Sequence, residues 1–215
     1  MPKKPIKPPL SREAILETAI ELADQGGLEA VSMRAIATRF GVTAMSLYNH
    51  VGSKDGIVDG MLDRIIADIE LPELQDWKEV IRRIAISTRE ILVEHPWAPG
   101  LWLARQSGGP ARFRWGDRLL RALRLGGLDE ESIFHTYHIL ESNILGSIMQ
   151  QLSFPFSGDE LTGLAPDFLE GFPREEYPDL VTHIEAHMGP HTRQQNDFEF
   201  SLDLILDGLE RSGTT

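Results

Sequence analysis

Apolar residues recur at helical spacing along most of the chain, and capping side chains, glycines and prolines divide them into units. Ser11 offers an N-cap, after which Ile15, Ala19, Leu22 and Ala23 share one face until Gly26-Gly27 ends the helix. Ser32 caps a short second helix carrying Ile36 and Phe40, closed by Gly41. Thr43 caps a third, with Leu47 and Val51 turned inward. Ser53 caps a fourth that runs through Ile57, Met61, Leu62, Ile65 and Ile69 to the break at Leu71-Pro72.

The units then lengthen. Asp76-Trp77-Lys78-Glu79 reads as a capping box opening a helix with Val80, Ile84, Ile91 and Leu92, which ends at His95-Pro96. Residues 97–106 form a short apolar helix, and Pro110 at a first helical position starts another that stops at Gly126-Gly127. Asp129 caps a long helix through Ile133, Tyr137, Leu140, Ile144 and Ile148 to Ser153. Residues 154–172, rich in Pro, Gly and Phe, read as an irregular loop, followed by a weaker helix over 173–188. The last helix, 195–209, has Phe198, Leu202, Ile205, Leu206 and Leu209 on its apolar side. Roughly nine helices and no alternating strand pattern make this an all-α chain.

Composition narrows the classes. The 215 residues include no cysteine, which excludes a disulfide framework, a thiolate metal site and a cysteine nucleophile. No apolar run approaches the roughly 18 residues of a membrane span. Residues 1–10 carry three lysines and four prolines without an apolar segment. They therefore read as a disordered basic arm rather than a secretory signal, and the expected location is cytoplasmic. The net charge is −12, but it is unevenly spread. Residues 1–60 balance seven basic groups (Lys3, Lys4, Lys7, Arg12, Arg34, Arg39, Lys54) with seven acids, so residues 61–215 carry the whole excess. A global surplus of acid does not exclude a polyanion partner, because screening confines a phosphate's response to charges within about 10 Å.

The candidate chemistry lies in residues 32–54. Two short helices joined by a tight glycine turn have the spacing of a helix-turn-helix. Ala37 is small where the helices would cross, Gly41 tolerates the positive φ of the turn, and Val42 is expected to plug the gap between them. The second of these helices buries Leu47 and Val51 and presents Thr43, Ala44, Met45, Ser46, Tyr48, Asn49 and His50. Such short hydroxyls, small groups and one aromatic suit entry into a major groove about 12 Å wide. Lys54 is placed to reach a backbone phosphate beside the next helix's N-terminus. Short helix pairs with a glycine turn also occur in proteins that never meet DNA, so the pattern alone leaves both possibilities open.

The residues also resemble a known family. Residues 11–63 are similar to the N-terminal domain of tetracycline-repressor (TetR) family bacterial regulators. The likeness runs through Ile15-x-x-x-Ala19, Gly27-Leu28-Glu29-Ala30-Val31-Ser32-Met33-Arg34-x-Ile36-Ala37, Phe40-Gly41-Val42, Leu47-Tyr48-x-His50-Val51 and Lys54-Asp55. Asp76-Trp77, Leu145-Gly146 and the segment from Phe198 to Leu209 resemble the C-terminal domain of the branch nearest the tetracycline repressors. The resemblance implies a three-helix DNA-binding domain over 11–56 and a larger helical ligand-binding and dimerisation domain over 57–215. It implies a ligand-responsive repressor that binds a palindromic double-stranded DNA operator as a homodimer and is released by a small-molecule inducer. Arg34, Thr43, Ala44, Met45 and Ser46 would approach bases, while Tyr48, His50 and Lys54 would hold phosphates. The dimer would form from helices near 129–153 and 195–211, whose stripes serve equally well as intrachain core.

An inducer pocket would draw its walls from helices at 76–95, 97–106, 110–125 and 129–153. The candidates are Ile84, Thr88, Trp102, Arg105, Phe134, His138, Glu141 and Gln150, and each also suits plain helix packing. Tetracycline-binding members hold a drug-bound metal with a His and a Glu. The matching positions here read Leu101 (or Trp102) and Gln150, so an apolar or aromatic inducer is expected instead of a magnesium–tetracycline complex.

His183-x3-His187, followed by His191, has zinc-like spacing, and an all-α metal-dependent enzyme built on these histidines is the rival class. No fourth ligand, Gly-rich phosphate loop, Gly-x-Ser-x-Gly elbow or paired Glu-x-x-His motif accompanies them. A non-enzymatic regulator with no cofactor and no metal is therefore expected.

Overall fold

The computed structural model describes residues 10–105, 109–153, 170, 172–188 and 196–212. Ten helices account for most of these: α1 (Arg12–Ala30), α2 (Met33–Phe40), α3 (Ala44–Val51), α4 (Lys54–Ile66), α5 (Trp77–Glu94), α6 (Ala98–Ala104), α7 (Pro110–Leu125), α8 (Glu130–Ser153), α9 (Pro178–Met188) and α10 (Asp197–Ser212). No strand occurs among the described residues. The expected loop at 154–172 falls almost wholly outside them.

Local chemistry sets the helix starts. Backbone N–H groups of Ala14, Ala35 and Gly56 donate to the hydroxyls of Ser11, Ser32 and Ser53 at 3.1, 3.1 and 2.9 Å. The Asp76 carboxylate accepts from the N–H groups of Lys78 and Glu79, and that of Asp129 accepts from Ser132. Each bond satisfies a donor that the first helical turn leaves open.

Three local expectations need correction. Thr43 has the extended backbone of an N-cap, but its hydroxyl pairs with that of Ser46 at 3.0 Å and caps nothing. Val42 does not plug the gap between α2 and α3, because it is 37% exposed. Its N–H bonds back to the Ala37 carbonyl behind the left-handed Gly41 (φ 69°), and buried Ile36, Ala37 and Leu47 fill the space instead. Helix α4 stops at Ile66, earlier than Leu71; the chain then turns, although Ile69 still buries its side chain. The Gly26-Gly27 stop is present as non-helical geometry inside α1 (φ 71° at Gly27), followed by one further turn.

Helices α1–α3 pack together, and α4 lies against α1 on one side and against α5, α6 and α7 on the other. A single hydrophobic cluster therefore runs from Ile15 through Ile57, Met61 and Ile65 to Ile84, Trp115, Ile144 and Leu206. Helix α5 is the axis of the larger part, packing on α7, α8 and α10. Its one fully buried polar side chain is Thr88, whose hydroxyl donates to the Ile84 carbonyl at 2.6 Å and accepts from Trp115 Nε1 at 2.9 Å. Helices α8 and α10 also touch, and between them leave Phe134, Ile139, Met149, Phe200 and Leu204 exposed.

Leu47 is fully buried where α3 meets the rest of the N-terminal helices. Leu47→Ala is expected to cost about 2–5 kcal/mol of stability, measurable by chemical unfolding followed by circular dichroism. A cost below about 1 kcal/mol would contradict the packing described.

Candidate DNA-reading face and its link to the regulatory core

Helix α3 turns one face outward and packs the other on the core through Leu47, with Ala44 and Val51 beside it. Thr43, Met45, Tyr48, Asn49 and His50 are exposed, Met45 by 73%, while Ala44, Ser46 and Val51 are half-buried and Leu47 anchors the helix. Arg34 is exposed in the first turn of α2, and Lys54 is exposed as the first residue of α4. All nine residues expected to meet DNA thus lie at the surface or at its margin. Three helix N-termini, with their positive dipole ends, belong to the same three-helix segment. The α3 start carries no side-chain cap, which leaves its first N–H groups for an outside acceptor.

The opposite side of α4 was not anticipated. Asp55, Asp59 and Asp63 are spaced four apart, so they form one stripe along the helix. Arg105, just past the end of α6, donates to Asp55 at 2.9 Å and to Asp59 at 2.7 Å. Asp63 accepts from the Ala111 N–H at 2.7 Å and so caps α7 from a different helix. Gly109 sits at the α7 cap position and must be glycine: a Cβ there would stand 2.2 Å from an Asp63 oxygen. The helix carrying Lys54 at its tip is therefore tied to α6 and α7 along its length.

Arg105 is joined to an aromatic core. Arg112 donates to the carbonyls of Trp102 and Arg105 at 2.8 and 3.0 Å, lies 4.8 Å from the centre of the Trp102 ring, and approaches the Glu141 carboxylate at 3.5 Å. Trp102 Nε1 donates to Glu141 at 2.9 Å. The Trp102 and Trp115 rings meet edge to face at 5.0 Å, and Tyr137 meets Trp115 at 6.0 Å. Burial, reinforced by the Glu141 charge, pushes the Tyr137 hydroxyl above its ordinary pKa.

Of the residues expected to line a ligand pocket, Ile84, Thr88, Trp102 and Glu141 come together here. Arg105 instead faces the acids of α4. Phe134 is 61% exposed and stacks edge-on with exposed His138 at 4.9 Å, on the outside of α8. Gln150 lines a separate cavity among α5, α8 and α10. The α4 stripe was readable as an i, i+4, i+8 acid pattern, but nothing local signalled Arg105 or Gly109 as its partners. His183 is exposed on α9, whereas the His187 side chain and His191 lie outside the described residues. Among the described residues no cluster of metal-ligating side chains occurs, and no helix is long and apolar enough to cross a membrane.

An exposed recognition helix, mounted on a helix that also walls an aromatic core, defines a helix-turn-helix transcriptional regulator. Comparison with known proteins gives the particular group. Residues 15–61 match the profile of bacterial regulatory proteins of the tetR family, and residues 71–212 match the tetracyclin repressor-like C-terminal domain. The chain belongs to the TetR family. It is 29% identical to the HTH-type transcriptional repressor DrrR1 of Streptomyces coeruleorubidus over 221 residues, covering 97% of this chain and 80% of that protein. The crystal structure of apo ActR from Streptomyces coelicolor superimposes with a TM-score of 0.78 at 27% identity, over 97% of this chain and 99% of that one. ActR in complex with actinorhodin does so with a TM-score of 0.76 at 28% identity, over 97% and 100%. The protein is accordingly a ligand-responsive repressor that binds operator DNA as a homodimer, and not an enzyme.

Arg105→Met removes both ion pairs to α4 while keeping the aliphatic stem. Exposed pairs contribute at most about 1 kcal/mol, so the global unfolding free energy is expected to change little. Amide hydrogen exchange over residues 57–61 is expected to accelerate severalfold, with the Trp115 region unaffected. Unchanged exchange in α4 would show that Arg105 does not hold this helix.

Proposed function

We propose that α3 enters the major groove of each operator half-site, with Arg34, Thr43, Ala44, Met45 and Ser46 toward base edges and Asn49 alongside them. Tyr48, His50 and Lys54 hold the flanking phosphates. The observation carrying this assignment is the exposed face of α3, with Met45, Tyr48, Asn49 and His50 outward while Leu47 is buried beneath them. Base contacts set sequence preference, whereas phosphate contacts set register and salt-dependent affinity. The exposed apolar residues of α8 and α10 form the dimer face that spaces the two recognition helices. The protein acts in the cytoplasm, where its operator is found.

The division at residue 56 falls inside α4, and the proposed mechanism uses that overlap. An aromatic inducer, of the general kind suggested by ActR's complex with actinorhodin, inserts among α5–α8 beside Ile84, Thr88, Trp102 and Glu141, which are closely packed without it. To enter, it displaces the Trp102 ring from Trp115 and Glu141 from its donors. The displacement passes through Arg112 to Arg105, and from there to Asp55 and Asp59, moving α4 and with it Lys54 and α3. Inducer and operator then oppose one another through a reciprocal coupling of about 1–3 kcal/mol.

Selection from a randomised duplex pool at two salt concentrations is expected to recover a palindrome whose affinity falls steeply with salt. Tyr48→Ala and Lys54→Ala should weaken binding to every duplex alike. Arg34→Ala should relax preference at one position in each half-site, by about 1–3 kcal/mol of discrimination. If Tyr48→Ala left affinity intact, or if the selected site had no two-fold symmetry, the proposed docking would be wrong.

A further inference from the structure

The most exposed large hydrophobic side chain among the described residues is that of Met45, 73% open to solvent. The other aliphatic residues of α3 are engaged: Leu47 is fully buried, and Ala44 and Val51 pack against the same core. Phe134, Phe200 and Leu204 are nearly as open, but they belong to the face of α8 and α10 proposed above for the dimer. Met45 stands instead at the second position of α3, the end of a recognition helix that comes closest to base edges.

Its neighbours on the open face all carry hydrogen-bonding groups. Thr43 and Ser46 have hydroxyls, which pair with each other at 3.0 Å, while Tyr48, Asn49 and His50 bear a phenol, an amide and an imidazole. A thioether has no donor and is at best a weak acceptor, so Met45 cannot tell one pattern of base-edge donors and acceptors from another. It can distinguish bases only by apolar contact. The major-groove edge of B-DNA offers one apolar feature, the 5-methyl group of thymine. Cytosine presents an amino donor there and the purines present N7, so neither gives Met45 a comparable surface. Covering the methyl takes apolar area of both partners out of water, and an unbranched side chain with three rotatable bonds adapts readily to its position.

We propose that Met45 is a specificity-determining residue that reads thymine, through its 5-methyl group, at one position of each operator half-site. The inference rests on the placement of α3 in the major groove and names the base that this part of the helix selects. Arg34, Thr43 and Ser46 read by hydrogen bonds, whereas Met45 reads by shape and by the exclusion of water.

The test uses the full-length protein and the operator recovered from the randomised pool. Each thymine of the half-site is replaced in turn, symmetrically, by deoxyuridine, which keeps the base pair and removes only the methyl group. One buried methyl corresponds to about fourfold in affinity, so one of these substitutions, present in both half-sites, is expected to weaken binding roughly tenfold. In Met45→Ala the same two duplexes should differ by less than twofold, the signature of a direct coupling between side chain and methyl. Tyr48→Ala is the control, expected to weaken all duplexes and to keep the uracil penalty. Met45 is exposed, so its replacement leaves the fold intact, which thermal unfolding verifies. Recovery of no palindrome would overturn the reading of α3 and this inference with it. A palindrome with no uracil-sensitive thymine would overturn the inference alone, as would a penalty that survives Met45→Ala or that Tyr48→Ala removes equally.

Discussion

The structure turns on the double duty of α4. One face of this helix is apolar and closes the DNA-binding domain through Ile57, Met61 and Ile65, in a cluster that continues into the larger domain. Another face carries Asp55, Asp59 and Asp63, which engage Arg105 and the N-terminus of α7. Exposed or half-exposed ion pairs add little stability, so this stripe acts by fixing direction. Arg105 can touch both acids only while α6 and α4 keep one relative position, and Gly109 lets α7 approach Asp63 more closely than any other residue would permit. The same pairing also neutralises Asp55 one position from Lys54, where an unpaired carboxylate would repel the phosphate that Lys54 is proposed to hold.

What the stripe transmits is set by the core it touches. Trp102, Trp115 and Tyr137 form a chain of edge-to-face rings, and their two tryptophan N–H groups donate to half-buried Glu141 and buried Thr88. A core built this way has few neighbouring arrangements of similar energy, because moving one ring strands a donor. It therefore behaves as an element with discrete states, which is what a repressor needs if a small ligand is to produce an all-or-none release. The acidic surplus of residues 61–215 leaves the DNA-binding segment near neutral, so local basic groups and helix ends govern its encounter with phosphate.

Most of the fold was legible because its signals are local. Serine and aspartate caps, glycine stops and Pro110 each act within one turn, and the structure places helix starts where those residues stand. Position within a helix also exposed the outward residues of α3, since burying Leu47 fixes the rest. What failed depended on groups distant in sequence. Val42 looked like a plug because its hydrophobicity was visible and the outward path of the backbone after Gly41 was not. Arg105's pairing with α4 was invisible because its partners lie 46 and 50 positions away. Phe134 and His138 share the α8 sequence with true core residues but lie on the other side of the helix, and sequence periodicity does not say which of two apolar stripes meets the chain's own core. Gly109 carried no side chain from which its role as Asp63's neighbour could be read.

The protein itself supplies a reporter for the central claim, that operator binding and the regulatory core are coupled through α4. All four tryptophans lie at position 77 or beyond, outside the DNA-reading helices. With Trp77 and Trp97 replaced by Phe, excitation at the red edge of the indole band, where tyrosine does not absorb, reports only the Trp102–Trp115 pair. Titration with the selected operator duplex should then change emission saturably, at one duplex per dimer, and Arg105→Met should abolish most of the change even when more duplex is needed to saturate the protein. Full operator binding with no change in the emission of that pair would show that α4 holds the two domains together without carrying a signal between them.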